Sequence, residues 1–168
     1  MDAGLLIARL IFGTLIALHG AQKLFGWFGG YGLAGTGGFF EGLGFRPGRL
    51  FAAAAGLGEW GGGLLLALGF VEPAAAAVVV AVMIVAAGSV HWPHGLFETS
   101  NGIEMPLLYG AAAAALALTG PGAYSIDAAL GFAIFWTPLL KTIVLLAGVV
   151  AGFGTLVVRR PLTSAARA

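Results

Sequence analysis

The chain has 168 residues, 60% hydrophobic and 9% charged, with a mean hydropathy of +0.99. A soluble domain carries about 25% charged residues, so this composition excludes a water-facing globular surface and reads as one membrane domain. A formal net charge of +1, with no cluster of basic residues of the kind that grips phosphates, argues against a nucleic-acid partner. The absence of cysteine removes disulfides, thiol redox chemistry and thiolate metal sites.

The first apolar run, Gly4 to Leu24, is long enough for the roughly 20 residues a bilayer core requires. It opens Met-Asp without a basic leader segment and is interrupted by Arg9, so it reads as a retained span rather than a cleaved signal. At about 100° per residue, His19 and Lys23 share a face, with Arg9 about 40° from Lys23. That polar side should face a helix bundle, because charges are costly against lipid. Residues 25–50 are too broken by glycine to span. Their Trp27, Tyr31, Phe39 and Phe40 suit the headgroup zone, and Thr36 is placed to cap a short helix over 36–44. Arg46-Pro47-Gly48-Arg49 reads as a turn.

The second span, about Leu50 to Phe70, carries Glu59 near its middle and Gly58-x-x-x-Gly62, a spacing that admits close helix approach. Val71-Glu72-Pro73 is a tight connection to a third, uncharged span, about Ala74 to Val90. A polar segment, 91–104, follows. His91, His94, Glu98 and Glu104 could suggest a metal, but Pro93 prevents a regular helix there, and neither metal nor haem is expected. The fourth span, about Ile103 to Leu118, is short. Ser125 caps an expected amphipathic helix over Ile126 to Phe135, and a fifth span, about Leu139 to Val158, carries Gly148-x-x-x-Gly152. Trp60, Trp92 and Trp136 read, with Trp27 and Tyr31, mainly as interfacial anchors.

Five spans place Lys23, Arg46, Arg49, Arg159, Arg160 and Arg167 on one side and Lys141 on the other. The bias of basic residues toward the cytoplasm then puts the N-terminus outside and the C-terminus in the cytoplasm. The expected location is the bacterial cytoplasmic (inner) membrane.

Four stretches together resemble the DoxX family of small bacterial membrane proteins, over about residues 5–130: RLIFGTLIALHGAQKLFGWFGGYGL at 9–33, GEWGGGLLLALG at 58–69, NGIEMPLL at 101–108 and LALTGPGAYSID at 116–127. The resemblance implies an all-α, polytopic four-helix membrane core over 1–130. The interfacial segment and fifth span (131–158) and a disordered tail (159–168) lie beyond it. Some members look like the DoxD subunit of a thiosulfate:quinone oxidoreductase, and others are linked to membrane oxidoreductase assemblies.

Arg9, His19, Gln22, Lys23, Glu59 and Glu104 are the candidate binding residues. A neutral histidine can hydrogen-bond a quinone oxygen, and Arg9 with Glu59 reads as a buried polar site that could bind a quinone carbonyl or relay a proton. The family likeness supplies the redox part of this reading: a quinone-interacting subunit of a membrane oxidoreductase system. The structural alternatives are an Arg9–Glu59 ion pair locking the first two spans, a Lys23 that reaches headgroups and a His19 that fills a polar gap. The rival functions are a non-enzymatic scaffold or assembly factor, and a small-solute or proton pathway. The expected partners are the lipid bilayer, oxidoreductase proteins and a second copy of the chain.

Overall fold

The computed structural model describes residues 1–160, and among these every regular element is helical. The elements are α1 (Asp2–Phe25), α2 (Gly32–Gly42), α3 (Gly48–Leu68), α4 (Glu72–Ala86), α5 (Glu104–Thr119), α6 (Ile126–Ala129) and α7 (Pro138–Val157). A π turn over Ala87–His91 and a 3-10 turn over Trp92–His94 prolong α4. Four helical stretches are long and apolar enough to cross a membrane: α1, α3, α4 with its extension to His94, and α7. The fifth apolar helix, α5, has 16 residues. At 1.5 Å per residue it is ~24 Å long, short of the ~30 Å of a hydrocarbon core. The connection before it folds back on itself, with Ile103 N–H donating to Gly95 (3.0 Å) and Glu104 N–H to Leu96 (2.8 Å).

Glycine and alanine determine how the helices meet. Within a bilayer, helix association depends on van der Waals fit rather than on the hydrophobic effect, so small side chains mark the contacts. One face of α3 packs on α1, where Gly13, Ala17 and Gly20 oppose Gly56, Gly63 and Ala67; a Cβ on Gly13 or Gly63 would strike the backbone opposite. A second face, Gly58 and Gly62, takes Val78 and Val79 of α4. On α7, Gly148 and Gly152 seat against Ala77, Ala81 and Ile84 of α4. The core between these faces is formed by Ile16, Leu66, Val79, Met83, Tyr109, Leu116 and Leu145. A smaller cluster of Phe40, Phe45 and Ala52 holds α2 on α3. The outward side of α7, including Ile143, Leu146, Val150 and Phe153, is apolar and exposed, as suits lipid.

The antiparallel order leaves two ends. One holds the start of α1, the α3–α4 turn and the 120–137 segment. The other holds α2, the 95–103 connection and the close of α7.

Two local expectations need correction. Thr36 does not cap a helix: α2 begins at Gly32, and the buried Thr36 hydroxyl donates instead to the Lys23 carbonyl at 3.4 Å. The helix expected over 126–135 is two pieces, α6 and a 3-10 turn Phe132–Phe135, because Gly131 takes a left-handed conformation (φ 72°). The Ser125 cap is present, its Oγ accepting from Ala128 N–H at 3.1 Å. The expectations for Arg167 and for most of the 159–168 tail lie outside the described residues.

Candidate functional site

Two polar centres lie at opposite ends of the bundle. The first is built on the last two turns of α1. Gly26, in a left-handed conformation (φ 74°), stops that helix. The chain then doubles back through a short turn into α2, and the Gln22 amide holds this turn by donating to the Phe28 carbonyl at 3.2 Å. Between α1 and α2 opens a cavity of about 560 Å³ lined by His19, Gln22, Lys23, Tyr31, Thr36, Phe39 and three glycines. His19 stands edge-on to the buried Tyr109 ring of α5, with centroids 5.9 Å apart. The Lys23 ammonium forms an ion pair with Glu59 of α3. Glu59 is only 3% exposed, so a carboxylate that lines no part of the cavity fixes the position of a cation that does. Trp60, next to Glu59, packs edge-on against Phe25 (5.7 Å).

The second centre surrounds Arg9. Its side chain is fully buried, as are those of Glu72 and Asp127. The Arg9 guanidinium donates to the Tyr124 carbonyl, and Glu72 and Asp127 are the carboxylates that act on it electrostatically. Asp127 accepts from the backbone N–H groups of Val71 (2.8 Å) and Glu72 (3.0 Å) and from the Trp136 indole (3.0 Å). A carboxylate there complements the positive N-terminal end of α4. Gly69, left-handed at φ 63°, makes room for this arrangement, since a Cβ there would fall on the Arg9 guanidinium.

Arg9 and Glu59 are therefore not neighbours. Gly20 lies opposite Gly56 and Trp60, so Glu59 is level with the last turns of α1, while Arg9 reaches the Gly69 turn beyond the end of α3. The eleven steps along α1 from Arg9 to Gly20 correspond to ~16 Å along the axis. Of the six candidates, the structure gathers His19, Gln22 and Lys23 around one cavity, with Glu59 behind Lys23. Glu104 sits apart and closes the 95–103 connection by accepting from Glu98 N–H at 2.8 Å. His91 Nδ1 lies 2.8 Å from the Asn101 carbonyl oxygen, and no three His, Asp or Glu side chains among the described residues are placed to hold a metal.

Sequence reasoning passed over Glu72 and Asp127. Their signals were present but quiet: an acidic residue directly before Pro73 at the start of an apolar run, and an acidic residue in the first turn after the Ser125 cap.

A family model, DoxX, matches residues 4–92. The inner membrane protein YqjF of Escherichia coli (strain K12) is 32% identical over 126 residues, which is 75% of this chain and 91% of that protein. No solved structure matches. The match extends over more than half of the chain, and the similarity runs through nearly the whole of a protein that is itself a membrane protein: this multi-pass, all-helical chain belongs to the DoxX family.

Proposed function

We propose that the chain is a quinone-interacting subunit of an oxidoreductase system in the bacterial inner membrane, and that the quinone ring enters the cavity between α1 and α2. One observation carries this reading: three polar candidates and two aromatic rings converge on one cavity of about 560 Å³, a size typical of small-molecule sites. The donor set fits a ring bearing carbonyl oxygens. The Lys23 ammonium and the His19 imidazole can each donate to such an oxygen, while Tyr31 and Phe39 offer faces for the ring. A quinone supplies two-electron chemistry that consumes protons at its oxygens. In this chain, Lys23 is the proton-bearing group at the cavity wall, and Glu59 keeps it oriented there.

The layout favours this reading over a pathway through the membrane. Between the two polar centres, α1 and α3 meet through Gly13, Ala17, Gly63 and Ala67, which form a close contact without polar side chains. The distribution of basic residues supports a cytoplasmic position for the cavity end, which carries Lys23, Arg46, Arg49, Arg159 and Arg160.

The test is a titration of a ubiquinone or menaquinone analogue on protein purified in mild detergent. Saturable binding that weakens in Lys23→Met and His19→Leu, but not in Glu104→Gln, is the expected result. Binding no greater than that of the detergent blank would remove the proposal and leave the scaffold role as the better account.

A further inference from the structure

No run of basic residues appears in the sequence, but the fold assembles one. Arg159 and Arg160, at the close of α7, are brought against the turn before α3. Arg159 Nε donates to the Leu43 carbonyl at 2.6 Å, and Arg160 N–H donates to the Gly44 carbonyl at 2.9 Å. Arg46 belongs to that turn and Arg49 to the first turn of α3; both are exposed, and the Arg49 stem lies along α2 at Gly37. Across 41–49 and 159–160 stand four arginines and one carboxylate, Glu41, so this corner has a net charge of +3. The Glu41 carboxylate is turned to the Gly48 N–H at 3.2 Å.

Directly beneath this corner lies a groove. Helices α3 and α7 both pack on α4 and scarcely touch each other. The gap between them has a volume of about 120 Å³, with a floor of Ala81, Val82 and Val85 and walls of Ala54 and Ala151. Phe40 and Phe51 also line it. Its lining is apolar apart from Thr155, and Phe40, which packs on Phe45 of the basic turn, borders it.

We propose that this corner and groove form a binding site for one anionic phospholipid. The phosphate is held by Arg46, Arg49, Arg159 and Arg160, and part of one acyl chain lies between α3 and α7. Charge complementarity selects the occupant: guanidinium groups form strong, charge-assisted bonds to phosphate, and basic pockets between membrane helices suit anionic headgroups. A zwitterionic lipid brings a cation that four arginines repel. The site lies on different elements from the α1–α2 cavity and does not depend on how that cavity is used.

Native mass spectrometry of the protein released from detergent containing equal amounts of phosphatidylglycerol and phosphatidylcholine tests the proposal. The expected result is preferential retention of phosphatidylglycerol. Arg159→Gln with Arg160→Gln should reduce that preference by about thirtyfold. Ala54→Leu, at an exposed position in the groove wall, should reduce retention by narrowing the groove. Melting temperatures of the variants, compared with wild type, confirm folding. Equal retention of the two lipids would overturn the proposal. So would competition by glycerol phosphate as strong as that of the whole lipid, which would indicate a free-phosphate site. A doubled mass without lipid that Ala54→Leu abolishes would assign the groove to a second copy of the chain, and this too would overturn it.

Discussion

A lysine near the end of a membrane helix ordinarily extends outward to the headgroups. Lys23 does otherwise because Glu59 lies across the α1–α3 contact, and Glu59 needs a cation because almost none of it reaches solvent. Removing one member of a buried pair strands the other. Lys23→Met should therefore lower stability by about 3 kcal/mol, at the lower edge of the range for broken buried pairs because Lys23 keeps some exposure. Thermal unfolding in mild detergent measures the loss, and Lys23→Met with Glu59→Leu should recover most of it. A double variant as unstable as the single one would show that the pair is not the cause. At the opposite end, Gly69→Ala should cost about 1–2 kcal/mol for the left-handed backbone alone, and more because its methyl group displaces the Arg9 guanidinium. The same melting assay reads it. At this scale the sequence was only half legible. The polar residues of α1 are visible as interruptions in an apolar run, but which carboxylate each meets depends on the axial register of two helices. That register is fixed by Gly13, Gly20, Gly56 and Gly63, whose contacts appear only in three dimensions. Glu72 was hidden for a related reason: beside Pro73 it reads as part of a turn, although the turn itself is buried.

The elements were more legible, because membrane helices announce themselves by length and hydropathy. All five expected apolar helices form, with ends within a few residues of expectation apart from the longer close of α4. The glycine pairs at 58/62 and 148/152 do mark contact faces, both of them on α4. The glycine- and alanine-rich stretch 56–63 was legible as suited to helix association; what was not legible is that it divides into two faces, Gly58 and Gly62 for α4 and Gly56 and Gly63 for α1. The helix expected over 126–135 failed because an amphipathic pattern does not reveal a left-handed glycine at 131. These faces make a paired prediction. Gly152→Leu should loosen α7 from α4 and cost at least 1–3 kcal/mol, the usual range for overpacking. Gly154→Leu, at a position with open space beside it, should change little. Proteolysis and melting of the two variants separate them; equal effects would mean that α7 is not seated through Gly152.

For the whole molecule, the arrangement is an asymmetric bundle with a polar centre at each end and a close, small-residue contact between them. The family match and the helices make it a multi-pass membrane protein; the bias of basic residues predicts its orientation, and labelling tests it. The chain has no cysteine, so single reporters are clean. In intact cells, Ala133→Cys should react with a membrane-impermeant maleimide, whereas Thr99→Cys should react only after permeabilisation. The reverse pattern would invert the topology. The composition, the five apolar helices and the family were all readable from the chain, although α5 is short for a span. Which candidates share one place was not readable, because α2 read only as a short helix over 36–44 near the interface, with nothing to show that it folds back on α1 as the outer wall of a cavity.

A photoreactive quinone analogue tests whether a quinone ring sits between α1 and α2, as proposed. After illumination of the purified protein and peptide mapping, the label should fall within residues 19–39, at or beside His19, Tyr31 or Phe39. It should be competed away by unmodified quinone and diminished in Lys23→Met. Label spread over the lipid-facing side of α7, or label that excess quinone does not displace, would contradict the account.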